Sequence, residues 1–436
     1  MQARAAPRND GAATHIPMWE RILVVYCLFH FSEGLWSPLF ADPTQVEGTP
    51  LLRMAWYPIY LIGLIGFVRT GEKARNALML SGFHVGLLVL AFASTAWSVV
   101  GDATFRRAFA LLMTSMFGVY MASRYTWKEF IVMFASAFAI MAVASFIASA
   151  AFPAQFVDQE IHIGAWEGIW GQKNSTGAFM ARGTIICLCA ALVMPDRRWM
   201  WRFFAALCVA MVLLSTSKTS LIALVLGLAL IVVIAQMRKG PHYAFFFGYA
   251  IVALAVMVAC VLVFAPQAFF DLIGRDSSLT GRTDIWNLVE RSIMEKPILG
   301  HGYAAFWQDA RGPALYIRQA LQWPVPNAHN GWLEIALGMG FLGVTLAVGL
   351  VSMIVWRVRG VAGDPVVGPF AIPLVALGLV FSMSESAIAQ QNSLNWMLLI
   401  AIGTKLAMDE KRRRDSAPVI APGRLPSGRA RSAGVR

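Results

Sequence analysis

Apolar runs about twenty residues long recur along this chain, and each must either cross a bilayer or be buried in a core that the polar remainder could not cover. A spanning helix needs about 20 mostly apolar residues, and by that ruler about twelve segments qualify. They are 20–39, 51–68, 79–97, 106–122, 129–151, 176–194, 200–216, 218–236, 243–264, 331–355, 367–388 and 393–408. Composition agrees: 58% of the residues are hydrophobic and 14% charged, where a soluble domain carries roughly a quarter charged. The expected fold is an all-α polytopic membrane protein, with about 12 transmembrane helices.

The net charge of +12 could suggest nucleic acid, but its placement does not. Lys411-Arg412-Arg413-Arg414 and several later arginines crowd the C-terminal tail, and short basic loops at 69–75, 124–128, 197–202, 238–239 and 357–359 hold much of the rest. Loops kept on the cytoplasmic side have this pattern, so no nucleic-acid partner is expected and both termini should be cytoplasmic. The intervening loops then face outward, into the periplasm of a Gram-negative host. The expected organisation is 1–19 as an N-terminal tail, 20–264 as nine spans, 265–330 as a large outer loop carrying the active site, 331–408 as three more spans, and 409–436 as a basic disordered tail. The first run is too long, and lacks the small-residue site, for a removable signal peptide. Cys27, Cys187, Cys189, Cys208 and Cys260 all lie in apolar runs and read as packing residues.

The loop's later part has chemistry a mere spacer would not need. Gly281-Arg282-Thr283-Asp284-Ile285-Trp286 opens it, Pro297-Ile298-Leu299-Gly300-His301-Gly302 follows, and Asn327-Ala328-His329-Asn330-Gly331-Trp332-Leu333-Glu334 closes it. Arg282, with Lys173 in Gly171-Gln172-Lys173-Asn174-Ser175 and Lys218 in Ser215-Thr216-Ser217-Lys218-Thr219, makes a set of cations on the outer side, where the charge rule does not place them. Forked guanidinium donors and compact ammonium charges suit a pyrophosphate. Asn174 either joins that set or caps the helix behind it. Arg106 and Arg107 read as side chains snorkelling to the interface. His329 can act as a base or orient a hydroxyl, with Glu334 five residues on to support its ring. Trp286, Trp307, Trp323 and Trp332 offer faces on which sugar rings could stack. There is no Asp-x-Asp, no His-x-x-x-His, no workable Cys pair and no P-loop, so neither metal nor cofactor is expected. Polar residues gather at one face rather than along a path, which argues against a transporter or flippase, and no internal repeat is visible.

Gly281-Arg282-x-x-x-Trp286, Pro297-x-x-Gly300-x-Gly302 and His329-Asn330-x-x-Leu333-Glu334 resemble the bacterial O-antigen ligase and polymerase superfamily. The Gly171-x-Lys173-Asn174 and Thr216-Ser217-Lys218-Thr219 strings look closest to its exopolysaccharide polymerase branch, the ExoQ and Wzy type. The resemblance implies a GT-C-like architecture in the bacterial inner membrane and a donor consisting of an undecaprenyl-pyrophosphate-linked oligosaccharide. It also implies transfer with inversion to an acceptor hydroxyl, either of another repeat unit or, in a ligase, of the lipid A core. The roles implied are Arg282, His329 and Glu334 in catalysis, and Lys173, Asn174, Lys218 and Arg282 at the pyrophosphate. A chain-length-regulating co-polymerase and a flippase are the implied partners.

Overall fold

The computed structural model describes residues 16–34, 36, 50–250, 282–308 and 312–416. Gly281, Cys260 and the expected ninth span beyond residue 250 lie outside them. Among the described residues the chain is helical, with one isolated β-bridge between Val157 and Trp166. In order come α1 (Met18–Phe31), α2 (Pro50–Thr70), α3 (Glu72–Met79), α4 (Gly82–Ala93), α5 (Gly101–Arg124), α6 (Trp127–Ala151) and α7 (Pro153–Phe156). Then follow α8 (Lys173–Val193), α9 (Arg198–Leu214), α10 (Lys218–Met237), α11 (Arg282–Glu295), α12 (Leu315–Leu321), α13 (Gly331–Arg359), α14 (Val367–Ser382) and α15 (Leu394–Asp415).

Five described helices, α2, α6, α8, α10 and α13, are long and apolar enough to cross a membrane, and a sixth span arises if α3 and α4 count as one. The sequence count of about twelve is larger. The expected span 243–264 lies largely outside the described residues; for others, α1, α9 and α14 have only 14, 17 and 16 residues, and α5 and α15 carry more charge. The expected span 79–97 is mostly α4, which meets α3 at 88° just before Gly82, where Arg357 Nη2 takes up the Leu80 carbonyl at 2.9 Å. The span 367–388 stops as a helix at Ser382. The expected disordered tail begins instead as the last turns of α15, with Arg412 and Arg414 paired to Asp409 and Glu410.

One end of the bundle is fastened by ionic and aromatic contacts. Glu20 on α1 accepts from Arg124 Nε at 3.0 Å and from Tyr125 Oη at 2.9 Å. Lys405 donates to the carbonyls of Ala122 and Tyr125, and Trp127 Nε1 donates to Asp409 at 2.8 Å. Thr126 and Glu129 form a capping box that starts α6 at this end, satisfying two of the donors a helix start leaves open. Arg357–Glu410 at 3.2 Å brings α13 to the same end, so the basic segments at 124–128 and 357–359 and the start of the tail cluster together.

The other end carries the polar machinery. In α8, Arg182 is 2% exposed and stacks on Phe381 of α14 at 4.3 Å, while Gly227 of α10 abuts Ile185 of α8 and Leu377 of α14. The pairing 185 with 377 and 182 with 381 makes α8 and α14 antiparallel. The start of α8 therefore lies beside the end of α14. Sequence reading passed over Arg182, whose charge sits mid-helix among apolar neighbours; the stacking on Phe381 is the kind of contact that offsets desolvation.

Candidate functional site

A small second core builds the site. Ile285, Val289 and Ile293 of α11 pack with Phe306, Trp307, Ile317 of α12 and Ala336 and Leu337 of α13. Their 3.6-residue spacing gives α11 an apolar face, and burying it fixes where Arg282, its first residue, emerges. Arg282 Nη1 donates to the Ser384 carbonyl at 2.7 Å and Nη2 to Glu385 Oε1 at 3.2 Å. His329 Nδ1 lies 3.6 Å from the other oxygen of Glu385, an ion-pair distance rather than a hydrogen bond. Arg282, His329 and Glu385 are 14%, 17% and 26% exposed at their side chains, enough for a ligand to reach and too little for bulk water to screen fully. One carboxylate thus bridges a guanidinium and an imidazole.

The backbone is shaped to allow this. His329 adopts φ 48°, a left-handed turn that few residues with a side chain occupy, and its N–H donates to Asn327 Oδ1 at 2.8 Å. Asn330 then caps α13, accepting from Trp332 N at 3.0 Å and Leu333 N at 3.3 Å, a contact worth about 1 kcal/mol. Helical side chains lean toward the N-terminus, so Glu334 reaches back to accept the Ala328 N–H and Trp307 Nε1, the latter at 3.0 Å. Here the structure corrects the sequence reading. Glu334 grips the chain just ahead of His329, and the carboxylate facing the imidazole is Glu385.

The tryptophans divide in the same way. Trp286 Nε1 donates to the Ala328 carbonyl at 2.9 Å, and Trp332 Nε1 to Ser382 Oγ at 3.1 Å; both act as struts around the turn. Trp307 is 4% exposed and sits in the small core. Trp323 is 45% exposed and keeps an open face. Replacing Trp286 with Phe should therefore preserve the packing and remove one hydrogen bond of about 1 kcal/mol. If the turn is the site's support, activity measured in isolated membranes falls by up to about tenfold; an unchanged rate would make the strut irrelevant.

The lysines form a second group. Lys173 and Lys218 are the first residues of α8 and α10, and Ser217 Oγ donates to Asn174 Oδ1 at 3.0 Å. Asn174 therefore ties two helix starts together instead of capping its own helix, whose N-cap is Gln172. At Gly177 a Cβ would come within 2.5 Å of Ser220 Oγ, which is why the helices can approach so closely. Two helix N-termini, each with a lysine, present partial and full positive charge to an anion. Because α8 starts where α14 ends, this group and Arg282–Glu385 share one end of the bundle.

Arg107 does not snorkel as expected. It donates to the Ala304 carbonyl at 2.6 Å and to Gln308 Oε1, tying α5 to the loop. His301 is buried and its Nε2 meets the Ser292 carbonyl at 2.9 Å. Burial pushes its pKa down, against the raising effect of that carbonyl, so it serves as a neutral packing residue. The motif Pro297-x-x-Gly300-x-Gly302 has a structural explanation as well. Helix α13 breaks at Gly340 (φ 63°, ψ −167°), and the motif crosses that break, with His301 N on the Leu337 carbonyl at 2.7 Å and Phe341 N on the Pro297 carbonyl at 2.7 Å.

Residues 203–348 match the O-antigen ligase family model, a range that contains Lys218, Arg282, His329 and Glu334 but not Lys173 or Glu385. The chain is also 26% identical over 194 residues to the exopolysaccharide production protein ExoQ of Rhizobium meliloti (strain 1021), a match that covers 41% of this chain and 43% of that protein.

Proposed function

We propose that this chain belongs to the O-antigen ligase and polymerase superfamily and is a membrane glycosyltransferase that joins lipid-linked oligosaccharide repeat units into a surface polysaccharide. The observation that carries the reading is the Arg282–Glu385–His329 cluster, set at the bundle end where two lysine-bearing helix starts converge. The donor in this reading is an undecaprenyl-pyrophosphate glycan, with its diphosphate toward Arg282 and the lysines. Glu385 and the Ser384 carbonyl use two of the five N–H donors of a guanidinium, which leaves others for phosphate oxygens.

In the transfer, the acceptor hydroxyl attacks the anomeric carbon from the face opposite the diphosphate, so the centre inverts. The bond from that carbon to the diphosphate oxygen breaks, and its electron pair leaves with the lipid diphosphate. His329 takes the hydroxyl proton and Glu385 stabilises the imidazolium so formed. Arg282 stabilises the charge developing on the leaving group. The energy is already present in the diphosphate ester, so this reading needs neither metal nor cofactor. The cytoplasmic placement of both termini and the outward placement of this site are part of the same proposal.

A ligase reading is favoured by one observation, the description of the matching family model, whereas the Rhizobium meliloti relative is an exopolysaccharide production protein. Lipid-linked glycans from cells carrying Arg282→Ala separate the two readings. A polymerase variant accumulates single repeat units on lipid while the protein stays in the membrane. Long unattached lipid-linked chains would indicate a ligase, and normal polymer would reject the site.

A further inference from the structure

A cavity of about 370 Å³ lies away from the cluster, between the end of α1, the first half of α2, the start of α5 and the loop after Ala389. Among the described residues, Arg53, Arg106 and Arg107 line it together with one carboxylate, Glu33. Glu33 is held at φ 57°, a conformation that costs a residue with a side chain. Trp56 and Tyr60 form an aromatic wall, stacked at 6.1 Å, and Tyr60 Oη donates to Asn392 Oδ1 at 2.7 Å.

The rim of this cavity is apolar and unburied. Tyr57, Phe105 and Phe109 are 61%, 53% and 41% exposed, and only 22% of the apolar stretch of α2 is buried in the protein. A membrane-facing helix thus borders a charged chamber, an arrangement that fits an amphiphile with an anionic head and an apolar tail. Arg107 and Gln391 also line a second cavity of about 150 Å³, where Glu334, Asn327 and Ser386 offer hydroxyl, amide and carboxylate partners. Asn327 accepts the His329 N–H, and Ser386 follows Glu385. The two chambers therefore lead, past Arg107, from a cationic pocket at the lipid to the edge of the catalytic cluster.

We infer that the first chamber holds the diphosphate of the acceptor's lipid carrier, with the acceptor's sugars extending through the second chamber toward His329. This rests on the glycosyltransferase reading and adds the acceptor to it. The donor's diphosphate must touch the bond that breaks, so it belongs beside Arg282. An acceptor reacts through a sugar hydroxyl remote from its own diphosphate, and that second diphosphate needs a cationic site one chamber away. Guanidinium forks suit its oxygens, and the exposed rings and α2 suit its chain.

The test uses the full-length protein in detergent, with farnesyl diphosphate as probe and native mass spectrometry to count bound molecules. Wild type should bind two. Arg53→Gln/Arg106→Gln, which leaves the structural contacts of Arg107 intact, should bind one, with affinity at the lost site reduced at least tenfold. With a preformed lipid-linked chain as saturating donor, the same variant should raise KM for a single lipid-linked repeat and leave kcat unchanged. Two molecules still bound to the double variant, while Arg282→Ala blocks polymer, would overturn this inference and leave the catalytic reading standing. Displacement of the probe by equal phosphatidylglycerol would reduce the chamber to an ordinary lipid site. Inorganic pyrophosphate binding as tightly as the probe would show that the tail plays no part; either result overturns the inference.

Discussion

Glu385→Ala is expected to lower glycan transfer by a factor on the order of 10³, with the protein still folded and in the membrane, because general-base and charge-stabilising contributions each typically supply 10²-fold or more. A single side chain serves two partners here: one oxygen faces Arg282 at 3.2 Å and the other His329 at 3.6 Å. Removing it leaves the guanidinium held by the Ser384 carbonyl alone and, in the proposed mechanism, leaves the imidazolium without its counter-charge. Glu385→Gln should fall between, since an amide oxygen can still accept from Arg282 but carries no charge. The measurement is the initial rate of chain extension on lipid-linked repeats in isolated membranes, normalised to protein amount. Groups acting as one unit are non-additive, so Glu385→Ala/His329→Ala should be little worse than the poorer single variant. Wild-type extension by Glu385→Ala would remove the carboxylate from the mechanism.

That residue also marks where sequence reading stopped. Arg282 and His329 stand out as candidates because they lie in a polar loop with no evident need for charge, and the structure brings both to one carboxylate. Glu385 was assigned to the end of an apolar span, yet the string Ser382-Met383-Ser384-Glu385-Ser386, followed by Gln390-Gln391-Asn392, is too polar for the interior of a bilayer. That signal was present and would have ended the helix near Ser382, where it does end. Glu334 misled for a different reason. Spacing along a chain does not say which way a side chain leans, and the backward tilt of helical side chains aims it at Ala328. The split at Ser215-Thr216-Ser217 was legible from its hydroxyl cluster, and the helices on either side run as 198–214 and 218–237. The partner of Arg107 was not legible, because Ala304 and Gln308 lie some two hundred residues further on and only the fold brings them back. Arg182 escaped for the opposite reason: mid-helix charge was visible, but its partners are the Ala178 carbonyl and a phenylalanine face rather than a carboxylate.

Gly340→Ala should remove folded protein altogether. The residue sits at φ 63° and ψ −167°, a region essentially restricted to glycine, and an added Cβ would lie 2.2 Å from the Ile298 carbonyl oxygen and 2.3 Å from its carbon. Neither neighbour is a flexible side chain. The obstacle is the backbone of the crossing segment, which is itself hydrogen-bonded to α13 at Leu337, Gly338 and Phe341. Conformational strain alone costs about 1–3 kcal/mol, and forcing the two backbones apart would also break those bonds, each worth about 1 kcal/mol. The total is a large share of the roughly 5–15 kcal/mol that holds a protein folded. Gly378→Ala is the control: it lies within α14 and a Cβ there meets nothing within 4 Å, so the substitution should hold or raise stability by about 0.5–1 kcal/mol. Thermal unfolding in detergent, with extraction yield as a second readout, compares them. The break also sets the direction of the first turns of α13, from Gly331 to Met339, which carry Glu334 and follow directly on His329. A Gly340→Ala protein with wild-type stability would mean that the crossing can relax, and the placement of His329 would then have to depend on the Asn330 cap and the Trp286 strut alone.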